Sequence, residues 1–254
     1  MATNEPRTLE AVERSLEVIE ALVEEDSLGV TELSERTGLP TSTVYVHLQT
    51  LRANDYVVKE GSKYRLSLQF LHYGGKIRER LPVYRHGRKV VHDLAKETGE
   101  LVNLAIEENG RGVVIFMARG DNAAVDLAPV GKHSYLHRPA FGRAILSCFS
   151  DDEVDDIVDK WGLRAVTENT VNTREALFEE LDATRERGYA IERDEGDVGI
   201  SCVGAPIQDI EGNPVGAISV TVPSNKLRDD RVEEELSHKI LNGTNIIELK
   251  IEHA

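Results

Sequence analysis

Apolar positions in the first quarter of the chain recur at helical spacing and then give way to short alternating runs. From Leu9 to Val23, the residues Val12, Leu16, Ile19 and Val23 fall at i, i+4, i+7 and i+11. This predicts a helix with Thr8 at its cap and acids over the opposite face. Gly29 breaks the pattern. A second helix is expected from Thr31 to Thr37, with Thr31 as N-cap and Glu32 and Glu35 in the first turn, where the macrodipole favours carboxylates. Gly38-Leu39-Pro40 stops it, and a third helix starts at Thr41. Its inward stripe is Val44, Leu48 and Leu51, which leaves Ser42, Thr43, Tyr45, Val46 and Gln49 outward. Two short strands follow, Tyr56 to Lys59 and Tyr64 to Leu66, joined across Glu60-Gly61-Ser62-Lys63. Three helices with a glycine turn before the third, then a hairpin, form the pattern of a winged helix-turn-helix. An unrelated helical pair would share the spacing but not the hairpin.

Residues 67–81 read as a linker helix ended by Pro82, and the rest as one α/β unit, so the expected class is α+β with domains at 1–66 and 82–254. Val83 to Thr98 is helical and stops at Gly99. Leu101 to Glu107 and Val113 to Arg119 are strands across Asn109-Gly110, a strong hairpin signal. A third strand is expected from Ala124 to Val130 and a loop from Gly131 to Pro139. Helices follow from Gly142 to Phe149, from Asp151 to Lys160 with Ser150 and Glu153 as a capping box, and from Arg174 to Arg187. Strands return at Tyr189 to Glu192, Ser201 to Gln208 and Val215 to Val222, and Arg231 to Glu252 closes the chain as an amphipathic helix. No internal repeat or low-complexity stretch is evident.

Charge complicates the nucleic-acid reading. The 254 residues carry 30 basic and 45 acidic groups, a net −15, where a DNA binder usually shows a basic footprint. The distribution answers this in part: residues 82–254 hold 20 basic and 32 acidic groups, whereas residues 36–65 hold five basic and two acidic, a local +3. Only 10 of the 30 basic residues are lysine and acids cover nearly every helix, a composition expected of a protein built for high intracellular salt, as in a halophile. With two distant cysteines, no leader-like start and no apolar run of membrane-spanning length, the expectation is a cytoplasmic chain away from membranes, without disulfide or zinc site.

The third helix would present Thr41, Ser42, Thr43, Tyr45, Val46 and Gln49 to the major groove. Arg36, Arg52, Lys59, Lys63 and Arg65 would supply phosphate or minor-groove contacts. The plain alternative for Thr41 and Ser42 is helix capping. In the second unit, Cys202 has no histidine beside it in sequence to make it a nucleophile, and reads as a small buried residue on a strand. His133 and His137, four apart, lack a third metal ligand. Asp194, Glu195 and Asp197 read as a solvated loop. No catalytic residue and no cofactor is expected.

Ala11 to Leu22 (AVERSLEVIEAL), Thr31 to Val57 (TELSERTGLPTSTVYVHLQTLRANDYV) and the hairpin ending KYRLS resemble the DNA-binding domain of the IclR family of transcriptional regulators. Leu136 to Ser147 (LHRPAFGRAILS), Arg185 to Pro223 and the closing helix are similar to that family's effector-binding domain. The resemblance spans essentially the whole chain. It implies a GAF-like C-terminal fold, a homodimer or dimer of dimers on palindromic double-stranded operator DNA, and a small organic ligand (an organic acid, a sugar or an aromatic acid) as effector. Carried over by position, it implies an effector site lined by Leu127, Ala140, Phe141, Glu192, Ile200, Cys202, Ser219 and Thr221. Amides at the start of the Gly142 helix would attract a carboxylate. Two positions depart from the family pattern: Phe141 replaces a small residue and narrows the pocket, and Val46 replaces an arginine of the reading helix.

The expected function is therefore a sequence-specific DNA-binding regulator whose operator affinity answers to that ligand. Its rivals are a sensor or interaction module without DNA binding, and an enzyme acting on the ligand.

Overall fold

The computed structural model describes residues 7–123 and 130–253. The strand expected from Ala124 to Val130, and Leu127 with it, therefore lies outside the described residues except for Val130, which is in a turn. The chain divides into two compact units between Ile77 and Arg78.

The first unit holds α1 (Glu10–Val23), β1 (Leu28–Gly29), α2 (Val30–Thr37), α3 (Thr41–Ala53), β2 (Val57–Glu60) and β3 (Lys63–Leu66). The strands form an antiparallel sheet in the order β1-β3-β2. Helix α1 turns a different face inward from the one its apolar spacing suggests: Val18 and Leu22 are buried, whereas Val12, Leu16 and Val23 are exposed. The inward stripe is Ser15, Val18, Ile19 and Leu22, and its first member is polar because the Ser15 hydroxyl meets Nδ1 of His47 on α3 at 2.8 Å. Position Leu9, not Thr8, caps α1, with no side-chain bond. Likewise Gly29, not Thr31, caps α2, its amide donating to the Glu32 carboxylate at 2.6 Å. Gly38 ends α2 in the left-handed region at φ 72°, as a helix-turn-helix turn requires. On α3, Val44, Leu48 and Leu51 are buried as expected. Gly61, at φ 62°, permits the two-residue turn of the wing, in which Glu60 pairs with Lys63 and Lys59 with Tyr64.

Helix α4 (Gln69–Glu79) fills the expected linker and buries no residue. Tyr56 meets Phe70 and Tyr73 in its first half with tilted rings, centroids 5.5 and 6.2 Å apart. Pro82 starts the next helix, α5 (Pro82–Thr98), at its first position, where a missing N–H costs nothing.

The second unit continues with β4 (Leu101–Glu108), β5 (Arg111–Arg119), β6 (His133–Tyr135), α6 (Ala140–Leu146), α7 (Asp151–Trp161), α8 (Arg174–Arg187), β7 (Ala190–Arg193), β8 (Ile200–Gln208), β9 (Pro214–Pro223), α9 (Asp229–Arg231) and α10 (Ser237–Glu252). Its six strands pair antiparallel in the order β6-β5-β4-β9-β8-β7. Strand β6 lies within the segment expected to be loop, held as an edge against Arg111 to Val113. Asn109 and Gly110, at φ 55° and 81°, make the predicted two-residue turn. The Ser150 and Glu153 capping box forms as expected.

Both faces of the sheet are covered. Helices α5 and α10 close over Leu104, Val203, Ala205, Ile218 and Val220, while α6 and α8 close over Ala105, Cys202 and Ala217. The C-terminal helix is not continuous from Arg231: a π-helical turn, Val232–Leu236, precedes α10. Val232, Leu236 and Ile240, all buried, are spaced at i, i+4 and i+8, and the wider π turn keeps the three on the same side of the axis.

Candidate functional site

Two sites assemble from these elements. In the first unit, α3 and the wing bring the expected DNA-contact residues together. Thr41, Ser42, Tyr45 and Val46 are exposed and Thr43 and Gln49 half-buried. The cap of α3 is Pro40, with no side-chain bond, so Thr41 and Ser42 do not act as caps, and their hydroxyls make no hydrogen bond among the described residues. Gln49 donates to the Tyr64 hydroxyl at 3.3 Å, tying α3 to the wing strand. The cations around this face are held by neighbours: Arg36 by Glu25 at 2.7 Å, Lys63 by Glu32 at 3.4 Å, Arg65 by Glu60 at 2.7 Å, and Lys59 over the Tyr64 ring at 5.5 Å. The Glu32 carboxyl is held below the ordinary carboxylate range, first by the Gly29 amide and then by Lys63.

In the second unit, a cavity of about 350 Å³ opens between the sheet and the segment leading into α6. Sheet register builds its floor. Glu192, Cys202 and Thr221 are cross-strand partners along one rung of β7, β8 and β9, and Ser219 and Asn103 pair on the next. Because side chains alternate along a strand, Ser219 and Thr221 share a face, and this run of polar groups interrupts otherwise apolar strands. Asn103 donates to the Thr221 hydroxyl at 3.3 Å, and Cys202 Sγ lies 3.3 Å from the same oxygen. The Ser219 hydroxyl is buried without a hydrogen-bond partner among the described residues.

Phe141 walls this space. The start of α6 approaches so closely that a Cβ on Gly204 would meet the Ala140 carbonyl carbon at 2.8 Å and the Phe141 nitrogen at 2.9 Å. Six of the expected effector residues, Phe141, Glu192, Ile200, Cys202, Ser219 and Thr221, line the cavity. Ala140 does not; it is fully buried in the core below. The Gly142 amide is bonded to the Pro139 carbonyl, so it cannot serve as an anion donor. The lining also includes Asp197 of the acidic loop, and Asn103, Lys132, His133 and Arg138, four residues not expected there. Asn103 was discoverable as the lone amide in Leu101-Val102-Asn103-Leu104-Ala105, a strand otherwise buried on both faces.

Glu192 is 2 % exposed, and its Oε1 accepts from the amides of Glu195 and Gly196 at 2.6 and 3.1 Å. Burial pushes its carboxyl above the usual range despite those bonds. The acidic run beside it is solvated at Asp197, which is exposed, but not at its other two members. Glu195 is 7 % exposed and takes a bidentate bond from Arg143, which is fully buried on α6. Asp194, at φ 58°, accepts from the Gly199 amide and the Ser224 hydroxyl, both at 2.6 Å, and so closes the loop.

The two histidines are separate. His133 meets Glu108 at 3.2 Å, and His137 is buried against the Arg164 carbonyl at 3.3 Å. Among the described residues no group of three or more His, Cys, Asp or Glu side chains is placed to hold a metal ion. The Cys202 thiol is pushed up by burial and by Glu192, which leaves it a weak nucleophile.

A winged helix-turn-helix followed by an α/β domain with a half-open cavity, apolar walls and a polar floor defines a transcriptional regulator with a sensor domain. The chain belongs to the IclR family: its residues 11–61 match the IclR helix-turn-helix domain, and residues 75–247 match the bacterial transcriptional regulator IclR C-terminal domain. The probable transcriptional regulator ArcR of Halobacterium salinarum is 28% identical over 98% of this chain and 97% of its own. The crystal structure of the Thermotoga maritima IclR is 25% identical, covers 96% of this chain and 99% of its own, and superposes with a TM-score of 0.81. An IclR homologue from Microbacterium hydrocarbonoxydans, solved in complex with 4-hydroxybenzoate, shares the fold at 19% identity and TM-score 0.81, over 96% of this chain and all of its own.

Proposed function

We propose that this regulator binds operator DNA as a homodimer or dimer of dimers through α3 and the wing, and that a small organic acid in the cavity changes its operator affinity. The domains are 1–66 and 82–254, joined by the linker helix, and the protein works in the cytoplasm without a cofactor and without catalysing a reaction. Arg36, Thr41, Ser42, Thr43, Tyr45, Val46, Gln49, Lys59, Lys63 and Arg65 contact the DNA.

The observation that carries the sensor reading is the cavity floor. The Ser219 hydroxyl, buried without a partner among the described residues, lines a space that also holds the Glu192 carboxyl and the Asn103 amide. A buried polar group left unpaired costs about 1–3 kcal/mol, which a ligand oxygen would recover. Arg138, whose burial disfavours its charged form, and Lys132 offer positive charge for a carboxylate. A ligand that fits one relative arrangement of the two reading helices better than the other shifts the population toward it.

Selection of duplexes from a random library by the full-length protein, followed by footprinting, tests the DNA reading. Enrichment of a two-fold symmetric site that Tyr45→Ala and Lys63→Ala weaken is expected, and failure to enrich any sequence at any salt concentration excludes it. A thermal-shift series with organic acids, sugars and aromatic acids tests the sensor reading, since ligands of the native state raise the melting temperature.

A further inference from the structure

From Thr41 to Leu51 the reading helix carries no acidic, lysine or arginine side chain, and its one charged group is Arg52 in the last turn. Its outward face is Ser42, Tyr45, Val46 and Gln49, spaced i, i+3, i+4 and i+7, which is one stripe of a helix. Of these, Gln49 is committed to Tyr64, and Tyr45 and Val46 stand 51% and 61% exposed. Exposed isopropyl and phenol groups beside each other on the outward face of a helix-turn-helix have no packing role in the free unit. The surrounding cations do not compensate for the missing charge on α3, because Arg36, Lys63 and Arg65 each hold a carboxylate of this same chain.

Only one base carries an apolar group in the major groove: thymine, through its C5-methyl. We propose that Val46, flanked by the Tyr45 ring, selects operator sequence by packing on a thymine methyl, so that this position discriminates through apolar contact and not through a charged hydrogen bond. The proposal rests on the DNA reading above. It takes the match of residues 11–61 to the IclR helix-turn-helix domain, with α3 in the reading position, as the reason the face meets DNA and not a second copy of the chain.

The test uses the full-length protein and the duplex it selects from a random library, with each thymine replaced in turn by deoxyuridine, which lacks only the methyl. At one position per half-site the replacement should weaken binding about four-fold, the value of one buried methyl. Val46→Ala should weaken binding to the thymine duplex by a similar factor and bind the deoxyuridine duplex no worse than the wild type does. Val46→Arg should shift the selected base at that position toward guanine, for which arginine is the matching reader. Position 46 is exposed, so these variants should keep the helical circular dichroism of the wild type. The proposal is overturned if no deoxyuridine replacement weakens binding, if the two effects multiply independently, or if Val46→Ala alters the oligomeric state and not DNA affinity. Each of these leaves the DNA reading intact, whereas failure to select any sequence removes both.

Discussion

Arg143 and Glu195 meet as a buried bidentate pair, Nη1 to Oε2 at 3.1 Å and Nη2 to Oε1 at 2.8 Å, joining α6 to the loop after β7. The same Nη2 donates to the Ile191 carbonyl at 2.6 Å, and the Glu195 amide donates to Glu192 on the cavity floor. The pair thus holds the helix that carries Phe141 and the loop that orients Glu192 in one arrangement.

Arg143→Met leaves the Glu195 carboxylate buried without its cation. Removing one member of a buried pair costs about 3–5 kcal/mol, whereas replacing both with apolar residues is often close to neutral. Urea unfolding followed by the fluorescence of Trp161, the single tryptophan, should show that loss for Arg143→Met and much of it recovered in Arg143→Met/Glu195→Leu. Equal loss in single and double variants would contradict it.

Glu192→Gln should stabilise the unliganded protein and weaken its effector response. The amide oxygen still accepts from Glu195 and Gly196, while a carboxyl whose charged form burial disfavours is removed. A rise of a few degrees in melting temperature is expected, about 1 kcal/mol, together with a smaller thermal shift on addition of the acid that stabilises the wild type. A melting temperature that falls counts against this account of the carboxyl.

His137 gives the sensor domain a defined acid limit. Burial lowers its pKa from 6.5 to about 4, so the unfolded chain takes up a proton that the folded one refuses. Stability is therefore complete above about pH 6.5 and is lost as pH falls toward 4, on the order of 2 kcal/mol after allowing for solvent screening. His137→Gln should flatten the melting temperature across that window; an unchanged slope rules the assignment out.

The surplus of acids predicts a dependence on salt. With 45 acidic against 30 basic groups, self-repulsion opposes the compact state until it is screened. The melting temperature should rise steadily from dilute buffer to molar potassium chloride. A fold and subunit association indifferent to salt would disprove adaptation to a saline interior.

Much of this was readable before any coordinates. Capping residues and turn glycines located most helix ends to within a residue or two because those signals act locally, as at Gly38, Gly99, Ser150 and Gly188, whereas the last helix, expected from Arg231, begins at Ser237 after a π-helical turn that periodicity does not reveal. The inward face of α1 was misread because its true stripe includes Ser15, and a serine looks solvent-facing until His47 is known to sit opposite. Strand β6 was missed because three residues of an edge strand carry no periodicity. Six effector residues could be carried over from family resemblance, but Arg138, Lys132 and Asp197 reach the cavity from loops, where backbone path and not residue pattern decides direction. Glu195 reads as part of a solvated loop, and Arg143 goes without a role, because nothing in a linear sequence pairs residues 52 apart.

The carboxylates that hold Arg36, Lys63 and Arg65 have a thermodynamic consequence for operator binding. When a phosphate takes one of these cations, it displaces an anion that belongs to the protein, so the contact exchanges one partner for another. That freed glutamate then gathers cations from solution, partly offsetting the counterions released from the DNA. The logarithm of affinity should consequently fall with the logarithm of salt concentration less steeply than the roughly 0.9 per contacted phosphate of an unpaired basic surface. Such a regulator forgoes affinity in dilute solution and keeps more of what it has where salt is concentrated.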